Sequence, residues 1–192
     1  MAKPLKVAIV CDWLLGIGGA ERVVLELHKM YPNAPIYTSQ YDPRKIDWFA
    51  DADVRTGWMQ KLPKRLKKFF PVFRALYFSR LDLTEYDLVL SSSGAEAKAV
   101  RTRKDALHIC YCHSPTHYYW TRYEEYLKNP GFGSFNFLAR LGLRVLVGPM
   151  KRWDRHAASN PDIMIANSTH IQNMIKRHYK RNSTIVFPPV DV

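Results

Sequence analysis

The 192-residue sequence has no apolar run approaching the roughly 18–20 residues that a membrane-spanning helix needs. Residues 1–6 lead directly into a strand-like segment, so we expect no cleavable signal peptide. Cysteine is scarce: Cys11, Cys110 and Cys112 lie in apolar segments without the spacing of a disulfide framework. This pattern favours reduced, buried thiols in a cytosolic protein. Since no second Cys/His pair accompanies Cys112 and His113 at ligand spacing, we expect no metal site.

Two common catalytic motifs are also missing. There is no Gly-x-x-x-x-Gly-Lys-Ser/Thr loop, which disfavours a nucleoside triphosphatase. The serines at 91–93 do not form a Gly-x-Ser-x-Gly elbow, and no Asp/His pair is placed to activate them. Acidic residues are few, with 17 Asp plus Glu against 29 Lys plus Arg, a formal net charge of +12. This charge attracts nucleic acid, anionic lipid or a diphosphate substrate, and composition does not choose among them.

Short apolar segments rich in β-branched residues alternate with amphipathic segments along the chain. The predicted strands cover residues 6–13, 35–40, 53–56, 83–92, 107–112, 162–167 and 184–187. The predicted helices cover residues 20–31, a short segment around 43–49, and residues 118–127, 135–158 and 169–179. This alternation predicts an α/β fold with a single Rossmann-like, doubly wound parallel sheet and helices on both faces. We expect residues 1–187 to form this domain and residues 188–192 to begin a connector.

Polar turns follow several of the predicted strands. They cover residues 12–19, 91–94, 113–117 and 167–168. Because ligands of such sheets bind beyond the carboxyl ends of the strands, these turns predict one shared rim.

The first of these turns is glycine-rich and runs from Gly16 to Glu21. Glycines permit close backbone approach, and the N-terminus of the next helix favours an anion, so the turn suits a pyrophosphate or phosphorylated sugar. It lacks the third glycine of a dinucleotide fingerprint, and residues 37–40 lack the expected acidic residue. A tight structural turn is the alternative.

Residues 55–80 contain eight cations and no acid. Apolar residues recur there at intervals of three or four, and two prolines divide the segment; the apolar residues are Met59, Leu62, Leu66, Phe69 and Phe73. A basic segment with an aromatic-rich apolar face is typical of an interfacial helix on an anionic membrane. The alternatives are a basic face that packs on the core, and nucleic-acid binding. We disfavour nucleic acid because the chain lacks an aromatic-and-basic RNA-binding signature.

His113 follows a predicted strand and so lies on the predicted rim. A histidine there can donate to a sugar hydroxyl or stabilise developing charge, or it can be purely structural. The aromatic residues that follow could stack on a sugar or pack the helix against the sheet; they are Tyr118, Tyr119, Trp120, Tyr123 and Tyr126.

Four long stretches of the sequence share a recognisable pattern; they are VAIVCDWLLGIGGAERVVLELHKMYPNAPIYTSQYDP, DLTEYDLVLSSSGAEAKAVRT, HICYCHSPTHYYWTRYEEYL and DIMIANSTHIQNMIKRHYKRNSTIVFPPVDV. In this order they resemble bacterial family-4 glycosyltransferases of the GT-B fold, especially mannosyltransferase-like members. The resemblance covers essentially the whole chain.

The resemblance implies roles for residues of the rim. Gly18 and Gly19 would lie near the donor diphosphate, at a cleft between two Rossmann-like domains. His113 would be catalytic, facing the transferred sugar and stabilising the transition state. Asp12, Glu21 and Ser93 would lie on the acceptor side.

The resemblance also implies a function. It is the retaining transfer of a hexose, with mannose indicated, from a nucleotide-sugar to a lipid-linked or membrane-associated glycan, without metal or cofactor. The chain would be the acceptor-side half, cytoplasmic and peripheral on the inner face of the cell membrane, with no nucleic-acid partner. Its contact with anionic lipid would run through residues 58–74. The implied contact residues are Trp58, Lys61, Lys64, Arg65, Lys67, Lys68, Phe69 and Phe70.

A complete enzyme of this kind has a C-terminal donor-binding domain with an Arg/Lys pair and a Glu-x7-Glu motif. That domain is absent from this sequence, so we expect the chain alone to have negligible transferase activity. The alternative function is a non-catalytic module that binds a lipid-linked or phosphorylated glycan.

Overall fold

The computed structural model of the protein describes residues 4–63, 70–131, 133 and 136–190. In this part of the chain, seven parallel strands form one sheet in the order β3-β2-β1-β4-β5-β6-β7. The strands are β1 (Val7–Cys11), β2 (Ile36–Thr38), β3 (Val54–Thr56), β4 (Leu88–Ser93), β5 (Leu107–Cys112), β6 (Ile163–Ala166) and β7 (Thr184–Ile185). The predicted α/β fold with a single Rossmann-like parallel sheet is confirmed.

Helices connect the strands. They are α1 (Gly19–Met30), α2 (Phe70–Arg80), α3 (His117–Trp120), α4 (Tyr123–Lys128), α5 (Asn136–Ala157) and α6 (Thr169–Tyr179), and short 3₁₀ turns form at Trp58–Lys61 and Ala97–Ala99. Helix α6 begins after Ser168, whose Oγ accepts a hydrogen bond from the Ile171 amide at 3.3 Å, a normal N-cap. It ends at Lys180, which adopts a left-handed conformation with φ of 59°.

The sheet is covered unequally on its two faces. One face, which carries Ala8 and Val10 of β1, packs against α2, α5 and α6. The other face, which carries Ile9, packs against α1 and the segment 31–52. Among the described residues α1 is the one helix on this second face, so Leu107 and Ile163 stay exposed there.

The predicted helix around residues 43–49 is wrong, because consecutive turns form instead. The Asp42 carbonyl accepts from the amides of Lys45 (3.0 Å) and Ile46 (3.3 Å), and the Asp47 carbonyl accepts from Ala50 (3.0 Å). The segment is too short to offset the cost of helix nucleation. The Asp42 carboxylate also bonds the Arg44 amide, which favours a turn over a helix.

The single helix predicted over residues 118–127 is divided into α3 and α4. The break lies at Thr121 and Arg122, where the Arg122 amide bonds the His117 carbonyl at 2.9 Å, five residues back. The Thr121 hydroxyl lies 2.7 Å from His117 Nδ1. This local bonding replaces the regular helical ladder.

Strand β4 begins at Leu88 rather than at the predicted residue 83. Before it, the chain forms a turn in which the Tyr86 amide donates to the Leu83 carbonyl. Cys11, Cys110 and Cys112 are free and buried, as predicted. Within the described ranges, the structure contains no helix with the length and apolar character to cross a bilayer.

Candidate functional site at the carboxyl ends of the strands

Strand β1 lies between β2 and β4, so the winding of the sheet reverses at this point, where such sheets bind ligands. Asp12 follows β1 directly and is buried. Its Oδ2 accepts from the amides of Gly94 (2.8 Å) and Ala95 (3.0 Å), and its Oδ1 accepts from the Ala97 amide (2.7 Å). Asp12 therefore fixes the loop after β4 against the end of β1.

His113 follows β5 and is held by its backbone and its ring. Its amide donates to the Ser93 carbonyl (2.9 Å), and its carbonyl accepts from Asn167 Nδ2 (3.2 Å). The ring Nε2 lies 2.7 Å from Ser92 Oγ. These contacts, with those of Asp12, join the ends of β1, β4, β5 and β6, which confirms the predicted rim.

The chemistry of His113 follows from its surroundings. Burial lowers the pKa of His113, so the imidazole is neutral at pH 7 and has one donor and one acceptor nitrogen. The Ser92 hydroxyl forms a hydrogen bond with Nε2. If it donates, the ring proton lies on Nδ1, and if it accepts, the ring proton lies on Nε2. No hydrogen bond to Nδ1 occurs among the described residues, which leaves this nitrogen for a ligand.

Ser92 was missed by the sequence reasoning, which selected Ser93. Adjacent residues of a strand point to opposite faces, so one of the two serines faces His113 and the other does not. The Ser93 side chain is buried, and its Oγ has no hydrogen-bond partner in the part of the chain that the structure describes. The acceptor-side role of Ser93 stays a prediction.

The glycine turn leads into α1, with Gly18 at the N-cap and Gly19 as the first helical residue. A Cβ on Gly18 would lie 2.8 Å from Glu21 Oε2, whereas a Cβ on Gly19 would meet open space. The Glu21 carboxylate therefore lies over the start of the helix beside Gly18. The donor-phosphate role of Gly18 and Gly19 stays a prediction, and a phosphate there would adjoin this carboxylate.

The two predicted acceptor-side carboxylates, Asp12 and Glu21, are brought close together. Burial raises the pKa of Glu21, its own backbone amide opposes this, and the charge of Asp12 raises the pKa further. Asp12 is occupied by backbone amides, while Glu21 is half-buried beside the glycine turn. Of the two, Glu21 is better placed to meet a ligand.

A buried ion pair that the sequence did not reveal lies behind the rim. Lys98 Nζ is 2.8 Å from Asp154 Oδ1, and both side chains are almost fully buried. Asp154 also accepts from Thr116 Oγ1 (2.8 Å), Trp120 Nε1 (2.7 Å) and Tyr179 Oη (2.8 Å). Burial alone would lower the pKa of Lys98, but the charge of Asp154 holds it well above its usual value. The pair connects α3, α5 and α6 beneath the turn at 113–117.

A second buried pair involves Arg74, the last residue of the segment 58–74 that is predicted to contact lipid. Arg74 Nε donates to Glu96 Oε2 at 2.6 Å, and both side chains are buried. The Arg74 guanidinium also stacks on Trp13, 4.7 Å from the ring centroid. Burial raises the pKa of Glu96 to about 7, although Arg74 favours its charged form. Arg74 therefore belongs to the interior behind the rim and cannot contact lipid.

In the remainder of the segment 58–74, some side chains pack in the protein core and others are exposed. Met59 is fully buried, and Phe73 packs against the same cluster, so this part of the predicted apolar face contacts the protein core. Trp58 is exposed and makes edge contacts with Phe73 and Tyr77, and Lys61 is exposed. Residues 64–69, which hold Lys64, Arg65, Lys67, Lys68 and Phe69, lie outside the described residues, as does the side chain of Phe70.

Within residues 4–63, 70–131, 133 and 136–190, no three His, Cys, Asp or Glu side chains are grouped as a metal site requires.

The parallel sheet and its flanking helices match about half of a solved protein structure. The sequence model of Glycosyltransferase Family 4 matches residues 17–192. The chain therefore belongs to glycosyltransferase family 4. None of the curated proteins is significantly similar to it in sequence.

Solved structures of a similar fold come from Anabaena. Alr3699/HepE in complex with UDP has a TM-score of 0.53 and 16% sequence identity, over 97% of this chain and 45% of that one. The same protein in complex with UDP-glucose has a TM-score of 0.51 and 16% identity, over 96% and 44% of the two chains. The chain thus spans less than half the length of these structures.

Proposed function

We propose that this chain is the acceptor-side domain of a retaining glycosyltransferase. The enzyme moves a hexose, with mannose the first sugar to test, from a nucleotide-sugar to a lipid-linked or membrane-associated glycan. The observation that carries this proposal is the neutral His113 ring, held by Ser92 at the point where the winding of the sheet reverses. Membership of glycosyltransferase family 4 and the UDP and UDP-glucose complexes of the similar fold support it.

In the proposed reaction, the bond between the sugar C1 and the diphosphate oxygen breaks, and a bond from C1 to an acceptor hydroxyl oxygen forms. The nucleoside diphosphate leaves, and the acceptor proton passes to solvent or to the leaving phosphate. With Ser92 Oγ–H donating to Nε2, His113 Nδ1–H donates to a hydroxyl oxygen of the transferred sugar and positions it. The backbone at Gly18 and Gly19 approaches the diphosphate, where negative charge develops. Catalysis then rests on positioning and charge stabilisation, without a metal, cofactor or protein nucleophile.

Asp12 serves this reaction through the loop after β4, because its carboxylate holds three amides of that loop. Glu21 and the Ser93 region would face the acceptor. A donor-binding domain beyond this one would complete the cleft. The proposed membrane contact is made by Trp58, Lys61 and the basic residues 64–68, at the inner face of the cell membrane.

The test uses the complete gene product and measures transfer of labelled hexose from UDP-glucose and GDP-mannose to a lipid-linked acceptor, with and without EDTA. We expect His113→Ala to lower kcat by about 100- to 1,000-fold, since one hydrogen-bond donor to the transition state is lost. His156→Ala, at an exposed histidine at the end of α5, is the matched control and should transfer at the normal rate. EDTA should not change the rate.

Two outcomes would contradict the proposal. Normal transfer by a folded His113→Ala protein would remove His113 from the reaction. Saturable binding of the lipid-linked glycan without turnover of any donor would instead support the non-catalytic binding module.

A further inference from the structure

Helix α5 exposes apolar side chains where an outer helix of an α/β domain normally exposes polar ones. Phe137, Leu138, Leu141 and Val145 are 73%, 61%, 51% and 63% exposed. Phe137, Leu141 and Val145 recur every four residues, and Leu138 lies beside them, so the four form one continuous surface, the α5 stripe.

The helix is anchored to the protein on its other side. Asp154 is the first fully buried residue of α5, eighteen positions after its start at Asn136. In the earlier part, Arg140 donates to the carbonyls of Leu127 and Lys128, both at 3.1 Å, which ties α5 to the end of α4. The α5 stripe is therefore held outward by contacts at both ends of the helix.

Between Glu125 of α4 and the buried Asp154 of α5, the charged residues of the chain are all positive. Residues 126–153 contain five cations and no acid. Of these, Arg144 and Arg152 have exposed side chains on α5 itself. An apolar face flanked by arginines complements an anionic bilayer, where apolar burial and headgroup attraction act together. A second copy of this chain, with its net charge of +12, would bring like charges against the same surface.

We infer that α5 is an interfacial helix that docks on an anionic membrane surface. The α5 stripe enters the boundary between headgroups and acyl chains, and Arg144 and Arg152 lie at the headgroups. This inference deepens the proposed function and rests on it. It names a second element that contacts the same membrane as residues 58–70, the part of the segment 58–74 that contains the proposed lipid contacts.

The positions of α5 and α2 allow both helices to contact the same membrane. Trp153 Nε1 of α5 donates to Ser79 Oγ of α2 at 3.1 Å, so both helices lie on the same side of the sheet. Val72 and Leu76 of α2 are also exposed.

The first measurement is sedimentation of the protein with vesicles of phosphatidylcholine and phosphatidylglycerol in equal amounts. Leu141→Gln/Val145→Gln removes apolar contact while glutamine keeps good helix propensity. We expect its partition constant to fall about tenfold or more. The matched control is Leu5→Gln/Met30→Gln, at two exposed apolar residues away from α5, and it should stay within about twofold of wild type.

The second measurement reports insertion directly. A polarity-sensitive fluorophore on Leu141→Cys should shift to the blue when these vesicles are added, and one on Met30→Cys should not. The native cysteines are buried, so they do not compete for the label in the folded protein.

The outcomes separate this inference from the proposed function. Unchanged binding by Leu141→Gln/Val145→Gln, with no shift at position 141, overturns the inference. If Lys64→Glu/Arg65→Glu/Lys67→Glu/Lys68→Glu alone abolishes binding, the proposed contact through residues 58–70 stands and α5 has no part in it. If the α5 variant instead dissolves a dimer or a protein complex, the stripe is a protein interface. If wild type binds no vesicles, both membrane contacts fail, while the transfer assay still decides the sugar chemistry.

Discussion

Replacing Asp12 by asparagine tests whether the Asp12 carboxylate stabilises the loop after β4, at the point where the winding of the sheet reverses. In the native protein, Asp12 accepts three amide hydrogen bonds at 2.7–3.0 Å from a loop more than 80 residues away. Asparagine has almost the same shape, so the change removes charge and one acceptor without leaving a cavity.

The expected magnitude follows from these bonds. The asparagine oxygen can keep the amides of Gly94 and Ala95, but each bond loses its charge assistance, about 1 kcal/mol apiece. The new NH₂ group would face the Ala97 amide, and an unpaired buried N–H costs about 1–3 kcal/mol. We therefore expect the free energy of unfolding to fall by about 3–5 kcal/mol and Tm to fall by about 10 °C.

The assay is urea denaturation followed by circular dichroism, with hydrogen exchange read at Gly94, Ala95 and Ala97. All three amides should exchange faster in Asp12→Asn than in the native protein. Asp51→Asn, at an exposed carboxylate, is the control and should change stability by no more than about 0.5 kcal/mol. If Asp12→Asn is as stable as this control and its three amides stay protected, the carboxylate does not hold the loop.

Two further predictions concern buried charge. Burial lowers the pKa of His108 to about 4, against about 6.5 in an unfolded chain, so the unfolded chain takes up the proton first as pH falls. The free energy of unfolding should therefore drop by about 3 kcal/mol between pH 6.5 and pH 4, and His108→Asn should remove that part of the pH dependence in urea denaturation; an equal slope in both proteins would contradict it. Lys98→Met should lower the free energy of unfolding by about 3–5 kcal/mol, because Asp154 is left buried without its cation. Thermal unfolding beside the exposed control Lys104→Met checks this, and equal Tm values would show that Lys98 adds no stability.

Much of the fold was predictable because local pattern and burial agree. Residues 7–11 and 107–112 are short apolar runs, and each forms a strand of a parallel sheet. The rim followed from topology alone, since parallel strands bring their carboxyl ends to one edge, and this placed Asp12 and His113 in the same site. The helix predicted around residues 43–49 does not form. In such a short segment, local side-chain hydrogen bonds such as that of the Asp42 carboxylate determine the backbone conformation.

The sequence by itself determined the succession of the seven strands along the chain, the family, and the positions of Asp12 and His113 on the rim. Only the tertiary structure decided that Ser92 rather than Ser93 contacts His113, because the orientation of a strand depends on what covers each face. It likewise turned Arg74 inward to Glu96, and it left the α5 stripe facing outward. The sequence shows whether a side chain is charged or apolar. The free energy that this side chain contributes to folding depends on partners from distant positions in the chain.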